Sequence, residues 1–258
     1  METENKDYRD VFEGLDPKVK TRTKKMLMYF IIFAIVMIFG GLTSAYLVTN
    51  SGKYWVHILT PAAFWMSNVA IVLSSLTFIF ALRQIKKGAQ QSGLVLLAAT
   101  FVLGLLFTTF QYTGWNDLQQ KGMGFTIEMR DGVKVSQWNR IREIKAEYGK
   151  DYYVYIGDQK LEFDGTNFYA PQDVYKTNPL TEAVGKTSNL SSSYILVLVL
   201  LHVIHLALGL IYLLVLTFRT FKGTINSGNT ISLTTGGMYW HFLGILWIYL
   251  FLFLFIIH

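Results

Sequence analysis

Three histidines within long apolar segments are the residues of this chain best suited to chemistry. His202 and His205 are three residues apart, so they share one face of a helix, and Gly209 lies four residues further along that face. His241 lies in a later apolar segment, within the run Tyr239-Trp240-His241-Phe242. Imidazoles bind haem iron and zinc, so the three histidines define a candidate metal or haem site.

A packing role for these histidines is the stronger interpretation. Haem held by two histidines needs ligands from opposing faces, usually on different helices, and zinc needs three or four ligands with supporting groups. The chain has no cysteine, which excludes disulfides, thiolate zinc or copper centres and iron-sulfur clusters. We therefore predict that the histidines hydrogen-bond neighbouring helices or lie near lipid headgroups, where Tyr239 and Trp240 would join an aromatic belt.

Five apolar segments carry these residues, and each has about the length of a membrane-spanning helix. They cover residues 26–48, 62–82, 93–112, 194–218 and 239–257. About twenty apolar residues in a helix cross roughly 30 Å of hydrocarbon. No Asp, Glu, Lys or Arg lies in the middle of a segment, which argues against a transporter with its own mid-membrane carboxylate. The sequence predicts an all-α polytopic membrane protein with five transmembrane helices in a bundle.

Basic residues cluster at the ends of the apolar segments and predict the orientation of the chain. They are Lys18, Lys20, Arg22, Lys24, Lys25, Arg83, Lys86, Lys87, Arg219 and Lys222. By the positive-inside rule, residues 1–25 form a cytoplasmic N-terminal segment and the C-terminal His258 lies outside. The net charge of +6 therefore reports membrane topology and not a nucleic-acid footprint.

A polar segment, residues 114–193, separates transmembrane helices 1–3 (residues 26–113) from helices 4–5 (residues 194–258). With three helices before it, this segment should lie outside the membrane on the extra-cytoplasmic face. Its own basic residues do not contradict that placement, because loops longer than about sixty residues escape the charge rule. We predict a small α+β extra-cytoplasmic insertion between helices 3 and 4.

The insertion shows two hairpin patterns and one helical pattern. Apolar residues alternate with polar ones over residues 125–135, with a turn at Asp131-Gly132. A second alternation over residues 153–163 surrounds Gly157-Asp158. Ile141, Ile144 and Tyr148 have helical spacing that ends at Gly149, which predicts a short helix.

Small and polar residues within the segments predict close helix packing. Asn68 and its neighbour Ser67, with Ser74 and Ser75 two turns later, lie in the second segment, and Gly104 lies in the third. Small residues let helices approach, and Asn or Ser can hydrogen-bond across the interface.

The last two segments together resemble subunit III of haem-copper oxidases. The fourth carries His202, His205 and Gly209 in the pattern His-x-x-His-x-x-x-Gly, and the fifth carries Trp240-His241-Phe242 followed by Trp247. Weaker similarities in the second and third segments extend the resemblance over nearly all of the membrane part. Many members have seven transmembrane helices where this chain has five, and carboxylates common in the family are absent from the matching positions.

The resemblance implies an accessory subunit III of a proton-translocating cytochrome c oxidase in aerobic respiratory electron transport. Haem and copper would belong to partner subunits and not to this chain, and bound phospholipid is expected. The implied partners are oxidase subunits I and II, membrane lipids and a cytochrome c donor complex in a supercomplex, with no nucleic acid. The implied location is a bacterial-type inner (plasma) membrane.

Under this resemblance no residue of the chain is assigned to catalysis, cofactor binding or metal binding. Eight residues become structural or lipid-contacting positions: Asn68, His202, His205, Gly209, Tyr239, Trp240, His241 and Trp247. Three alternatives stay open at this point. One is subunit III of a quinol oxidase or of a complex associated with nitric oxide reductase, and another is a standalone membrane haem protein using the three histidines. The third is a transporter, which the lack of mid-membrane charge disfavours.

Overall fold

Five long helices make up most of the computed structural model, which describes residues 16–50, 54–123, 125–130, 133–138, 140–187 and 189–257. They are α1 (Pro17–Asn50), α2 (Ala62–Lys86), α3 (Gln90–Gln120), α5 (Leu190–Phe221) and α6 (Ile231–Leu252), with a short α4 (Thr181–Lys186) before α5. A π-helical turn, Phe253–Ile257, continues α6. All five long helices are long and apolar enough to cross a membrane, so the predicted polytopic fold is confirmed.

Local sequence signals fix where the helices begin and end. At the start of α1, the Asp16 carboxylate accepts a hydrogen bond from the backbone N–H of Lys18, one of the donors that a helix leaves free at its first turn. Gly88 and Gly122 follow α2 and α3 with φ of 86° and 75°. Glycine adopts this left-handed conformation without a side-chain clash, which is why it ends helices.

α6 is the most buried of the five long helices, and it packs against α1, α2 and α5. Glycine lets α6 approach α2 closely, because a Cβ at Gly237 would lie 2.8 Å from the Phe78 ring of α2. α2 and α3 form an antiparallel hairpin. α1 is the least buried helix and exposes a long apolar face.

The two ends of the bundle differ in how the chain connections are held. At one end, the Gln90 side-chain amide donates to the backbone oxygens of Thr220 and Ile225, which joins the start of α3 to the end of α5. At the other end, the α1–α2 connection and the insertion between α3 and α5 pair in a sheet. The basic clusters that flank α2 and α5 therefore share the end opposite to the insertion.

Within the described residues, seven short strands form three antiparallel sheets. They are β1 (Tyr54–Ile58), β2 (Phe125–Arg130), β3 (Val133–Trp138), β4 (Tyr152–Ile156), β5 (Gln159–Lys160), β6 (Glu162–Phe163) and β7 (Phe168–Tyr169). β4 lies between β1 and β5, β2 pairs with β3, and β6 pairs with β7. The register of β1 on β4 runs from Tyr54 opposite Ile156 to Ile58 opposite Tyr152.

Both predicted hairpins of the insertion are present. β2 and β3 pair with Arg130 opposite Val133, although the predicted turn residues Asp131 and Gly132 lie outside the described residues. The β4–β5 hairpin turns at Gly157-Asp158, as predicted. Phe163 does not continue that hairpin, because it pairs with Phe168 in the third sheet.

The helix predicted from Ile141, Ile144 and Tyr148 is wrong. Only a single 3₁₀ turn forms, Ile141–Glu143. The backbone hydrogen bonds of this segment go to other elements, since the Ile141 N–H donates to the Thr187 oxygen and the Lys145 N–H to the Lys121 oxygen. The spacing of these three residues therefore does not indicate a helix, because their segment packs against the ends of α3 and α4.

Candidate functional site

The buried face of α5 places the first histidine motif inside the bundle. The helix begins where the Asn189 side chain accepts a hydrogen bond from the Ser192 backbone N–H. His202, Leu206 and Gly209 then lie on the buried face. A Cβ at Gly209 would lie 2.8 Å from a methyl carbon of Leu243, so this glycine lets α5 and α6 approach closely.

His202 is enclosed by aromatic rings. Its ring centroid is 5.4 Å from that of Trp247 and 6.2 Å from that of Phe107, and the residue is 1% exposed. Neither ring nitrogen has a hydrogen-bond partner in the part of the chain that the structure describes. The predicted hydrogen bond from His202 to a neighbouring helix is therefore not observed there.

His205 faces a different side of α5. Its Nδ1 donates to the Leu201 carbonyl oxygen at 2.7 Å, and its ring contacts the edge of Phe39 on α1, with centroids 5.9 Å apart. The Tyr239 hydroxyl of α6 donates to the backbone oxygen of His205 at 3.1 Å. The ring of His205 thus bonds its own helix, while its ring contact and its backbone oxygen join α5 to α1 and α6.

His241 lies well inside α6, which begins ten residues earlier at Ile231. Its half-buried ring packs against Phe78 of α2, with centroids 5.6 Å apart. The three histidines therefore contact three different groups of neighbours. Among the described residues there is no group of three His, Cys, Asp or Glu side chains that could hold a metal, so the candidate three-histidine site is not assembled.

A hydrogen-bonded chain joins three helices at the level of Trp240. The indole Nε1 of Trp240 donates to the Ser74 hydroxyl at 2.9 Å, and that hydroxyl donates to the Thr100 backbone oxygen at 3.3 Å. The Thr77 and Thr100 hydroxyls are also within hydrogen-bond distance of each other, at 2.9 Å. Trp240 is 2% and Tyr239 9% exposed, so both lie between helices and not in the lipid-facing belt we considered.

A second polar contact joins α2 and α3 nearer the insertion. The Gln111 amide donates to the Ser67 hydroxyl at 2.8 Å, and this hydroxyl donates to the Phe64 backbone oxygen. Asn68 itself is half-buried, and its side-chain oxygen has no partner among the described residues. Trp247 is fully buried and its Nε1 is likewise unpartnered there. Ser67, and not Asn68, makes the interhelical hydrogen bond.

An aromatic contact that the sequence analysis missed anchors β1 to the bundle. The Trp55 indole of β1 donates to the Tyr46 hydroxyl of α1 at 3.0 Å, and their ring centroids are 5.0 Å apart. The Tyr194 ring of α5 packs on Tyr46 at 5.6 Å. The alternation of buried residues within Tyr54–Ile58 is the signal that could have identified this strand.

One charged side chain joins α3 to the insertion outside the apolar segments. The Lys121 ammonium lies 2.9 Å from the Asp117 carboxylate and 3.0 Å from that of Asp151. The hydrogen bond to Asp117 raises the pKa of Lys121. Burial raises the pKa of Asp151, but the Glu147 backbone N–H and the Lys121 ammonium outweigh it and hold that pKa below its usual value.

The fold and these contacts define a five-helix polytopic membrane protein with polar links between its helices and a small α+β cap. The family model described as cytochrome c oxidase subunit III matches residues 176–258, which contain α5, α6 and both histidine motifs. The resemblance to subunit III of haem-copper oxidases is thereby confirmed for this part of the chain. A search of curated proteins found no match.

Proposed function

We propose that this chain is the accessory subunit III of a proton-translocating cytochrome c oxidase, with no redox centre of its own. In this role it packs against subunit I, stabilises that subunit during turnover and binds phospholipid, in a bacterial-type plasma membrane. The observation that carries the proposal is the subunit III family match over both helices that hold the histidine motifs.

The side-chain arrangement supports a structural role for the motif residues. Tyr239 and Trp240 donate to acceptors on neighbouring helices, and Gly209 allows close packing of α5 on α6. The histidine rings contact separate groups of neighbours, an arrangement that favours packing over a shared haem site.

Gentle-detergent purification of the tagged full chain from its membrane tests the proposal. We expect haem and copper subunits to copurify, and we expect the chain stripped from them to show no haem absorption in a reduced-minus-oxidised spectrum. A stripped chain that keeps a haem, or a chain that purifies without oxidase subunits, would overturn the proposal.

The nature of the copurified subunit II separates the remaining alternatives. A cytochrome c oxidase has a dinuclear copper centre in that subunit, and electron paramagnetic resonance detects it. Its absence from an otherwise intact complex would favour a quinol oxidase or a complex associated with nitric oxide reductase.

The insertion is the part of the chain that we propose contacts subunit II or a cytochrome c donor complex. Its turn at Val174-Tyr175 is 81% and 89% exposed, and the Asp173 carboxylate fixes it by accepting from the backbone N–H groups of Thr177 and Asn178. A rigid exposed aromatic residue is a common anchor in protein interfaces.

The double variant V174S/Y175S tests this contact in the purified oxidase. We expect weaker retention of subunit II or a slower turnover of cytochrome c at low donor concentration, because apolar contact area is lost. The matched control is Asp158→Ser, at another exposed turn of the same insertion. Equal behaviour of both variants and the parent chain would show that this turn is not an interface.

A further inference from the structure

A groove between α2 and α6 opens on the outer face of the bundle. It has a volume of about 220 Å³. Its walls include Val72, Ser75 and Leu76 from α2 and His241, Gly244 and Ile245 from α6. We call it the α2–α6 groove.

Ser75 differs from the other hydroxyl side chains of α2. Ser67, Ser74 and Thr77 each donate to a backbone oxygen of the bundle, which is how helices in hydrocarbon satisfy such groups. Ser75 makes no such bond within the described part of the chain, and it is half-buried on the groove wall.

His241, on the α6 side, is the second polar side chain that lines the groove. Its ring meets the edge of Phe78, but no hydrogen bond to either ring nitrogen is formed by the residues that the structure describes. A neutral imidazole presents one donor and one acceptor. The α2–α6 groove thus offers the ring nitrogens of His241 and the hydroxyl of Ser75 to whatever covers it.

These groups lie deep in the membrane part of the bundle. Ser75 is at the centre of α2, thirteen residues from its start at Ala62 and eleven from its end at Lys86. His241 is ten residues from the start of α6 at Ile231, which is about 15 Å along the helix axis. Polar side chains at such depth are costly against lipid tails, so they face protein or a polar partner.

Two other grooves on the described part of the bundle have no imidazole in their walls. In the groove between α3 and α5, Thr108 donates to Gly104 and Gln111 donates to Ser67. In the groove between α1 and α5, the hydroxyls of Tyr212 and Tyr239 donate to backbone oxygens. The two tyrosine hydroxyls of the α1–α5 groove are thus engaged within the bundle, whereas the α3–α5 groove keeps the side-chain oxygen of Gln111 without a partner among the described residues.

We propose that the α2–α6 groove receives a transmembrane helix of a partner subunit, which supplies a hydrogen-bonding side chain at the depth of Ser75 and His241. This inference rests on the proposed function as an oxidase subunit and names the surface that it uses. Ser75 is small and half-buried, so a helix can approach it closely, and Ile245, 67% exposed, provides apolar contact beside the polar pair. A lipid acyl chain could fill the same space but has no hydrogen-bonding group.

The cysteine-free chain allows a direct test by site-specific cross-linking. Ser75→Cys and Ile245→Cys, each labelled with a photoreactive maleimide in the native membrane, should form adducts with one membrane subunit of the copurifying complex. Adducts with lipid alone, or with a second copy of this chain, would overturn the proposal.

A pair of substitutions at His241 tests the hydrogen bond itself. We expect His241→Leu to lower the fraction of partner subunit retained after a detergent wash by about fivefold, and His241→Gln to recover most of it. Because His241 has no observed hydrogen bond within the bundle, the isolated H241L chain should unfold at the parent temperature. Equal retention in both variants would also overturn the proposal.

The two proposals fail in different ways. Loss of every oxidase subunit from the purification of the parent chain would contradict the proposed function. An intact purified oxidase, combined with groove positions that cross-link to lipid alone, would contradict only the assignment of the α2–α6 groove.

Discussion

The imidazole of His202 is buried among Trp247 and Phe107, and both of its ring nitrogens lack a partner within the described residues. A buried polar group without a hydrogen bond costs about 1–3 kcal/mol, which an apolar side chain of similar size avoids. We therefore expect His202→Leu to leave the free energy of unfolding unchanged or to raise it by about 1–3 kcal/mol. Thermal unfolding of the purified chain in detergent measures this.

His205→Leu is the matched control for that substitution, three residues away on the same helix. It removes the hydrogen bond to the Leu201 oxygen and the contact with the Phe39 ring, so it should destabilise the bundle by about 1 kcal/mol. A strong loss of stability in His202→Leu, at least as large as in the control, would mean that His202 has a polar partner.

Gly104 on α3 faces a ring that is held in place. A Cβ at this position would lie 2.8 Å from the Cη2 atom of Trp240, whose indole is fixed by its hydrogen bond to Ser74. Overpacking of this kind costs about 1–3 kcal/mol, more than the roughly 1 kcal/mol that alanine gains over glycine in a helix. We expect Gly104→Ala to lower the unfolding temperature.

Gly40→Ala provides the comparison for Gly104→Ala, because a Cβ at Gly40 on α1 would meet no atom within 4 Å. Helix propensity alone then acts, and the unfolding temperature should stay the same or rise. If both variants shifted in the same direction, the close contact at Trp240 would not govern the packing of α3 on α6.

The junction of α3 with the insertion depends on the charge of Lys121, Asp117 and Asp151. Asp151 has a pKa below its ordinary 3.8, so its contribution is complete above that pH and is lost as the pH falls further. Lys121 has a pKa above its ordinary 10.5, so its contribution is complete below that pH and is lost as the pH rises further. The junction is therefore most stable between these two values.

Lys121→Met should weaken the attachment of the insertion by about 0.5–1 kcal/mol, since the pair is partly exposed. Limited proteolysis of the insertion at neutral pH should proceed faster in the variant than in the parent chain. Hydrogen exchange of the insertion at low pH gives a second measurement. The difference in exchange rate between the variant and the parent chain should shrink once Asp151 is protonated. A difference that did not depend on pH would indicate lost packing and not lost charge.

The sequence predicted elements where the pattern is local and failed where the pattern depends on distant partners. The five helices and the two hairpins follow from apolar runs and alternation within about twenty residues. β1 escaped notice because its partner β4 lies about a hundred residues later, and the pairing exists only in the folded chain. The helix expected near Ile141 failed because its backbone bonds go to Thr187 and Lys121.

The candidate site was predictable in its residues and less so in its contacts. The spacing of His202 and His205 showed that they lie on one turn of a helix. The sequence alone cannot give the rotation of α5 about its own axis within the bundle. That rotation places His202 between aromatic rings and His205 against α1. It likewise places the ring of Trp240 in the interior.

The distribution of charge over the whole molecule predicts which end faces the cytoplasm. The basic clusters after α2 and α5 lie at the end where Gln90 joins Thr220 and Ile225, opposite to the insertion. The positive-inside rule assigns that end to the cytoplasm and the insertion to the other side. The reverse orientation would translocate several short basic loops.

Two single-cysteine variants of this cysteine-free chain test the orientation. Thr166→Cys lies in the exposed part of the insertion, and Ser227→Cys lies in the exposed α5–α6 connection, so both substitutions are conservative and accessible. We expect a membrane-impermeant maleimide added to intact cells to label Thr166→Cys at once, and Ser227→Cys only after permeabilisation. The opposite pattern would place the basic end outside, and the insertion could then not meet an external cytochrome c donor.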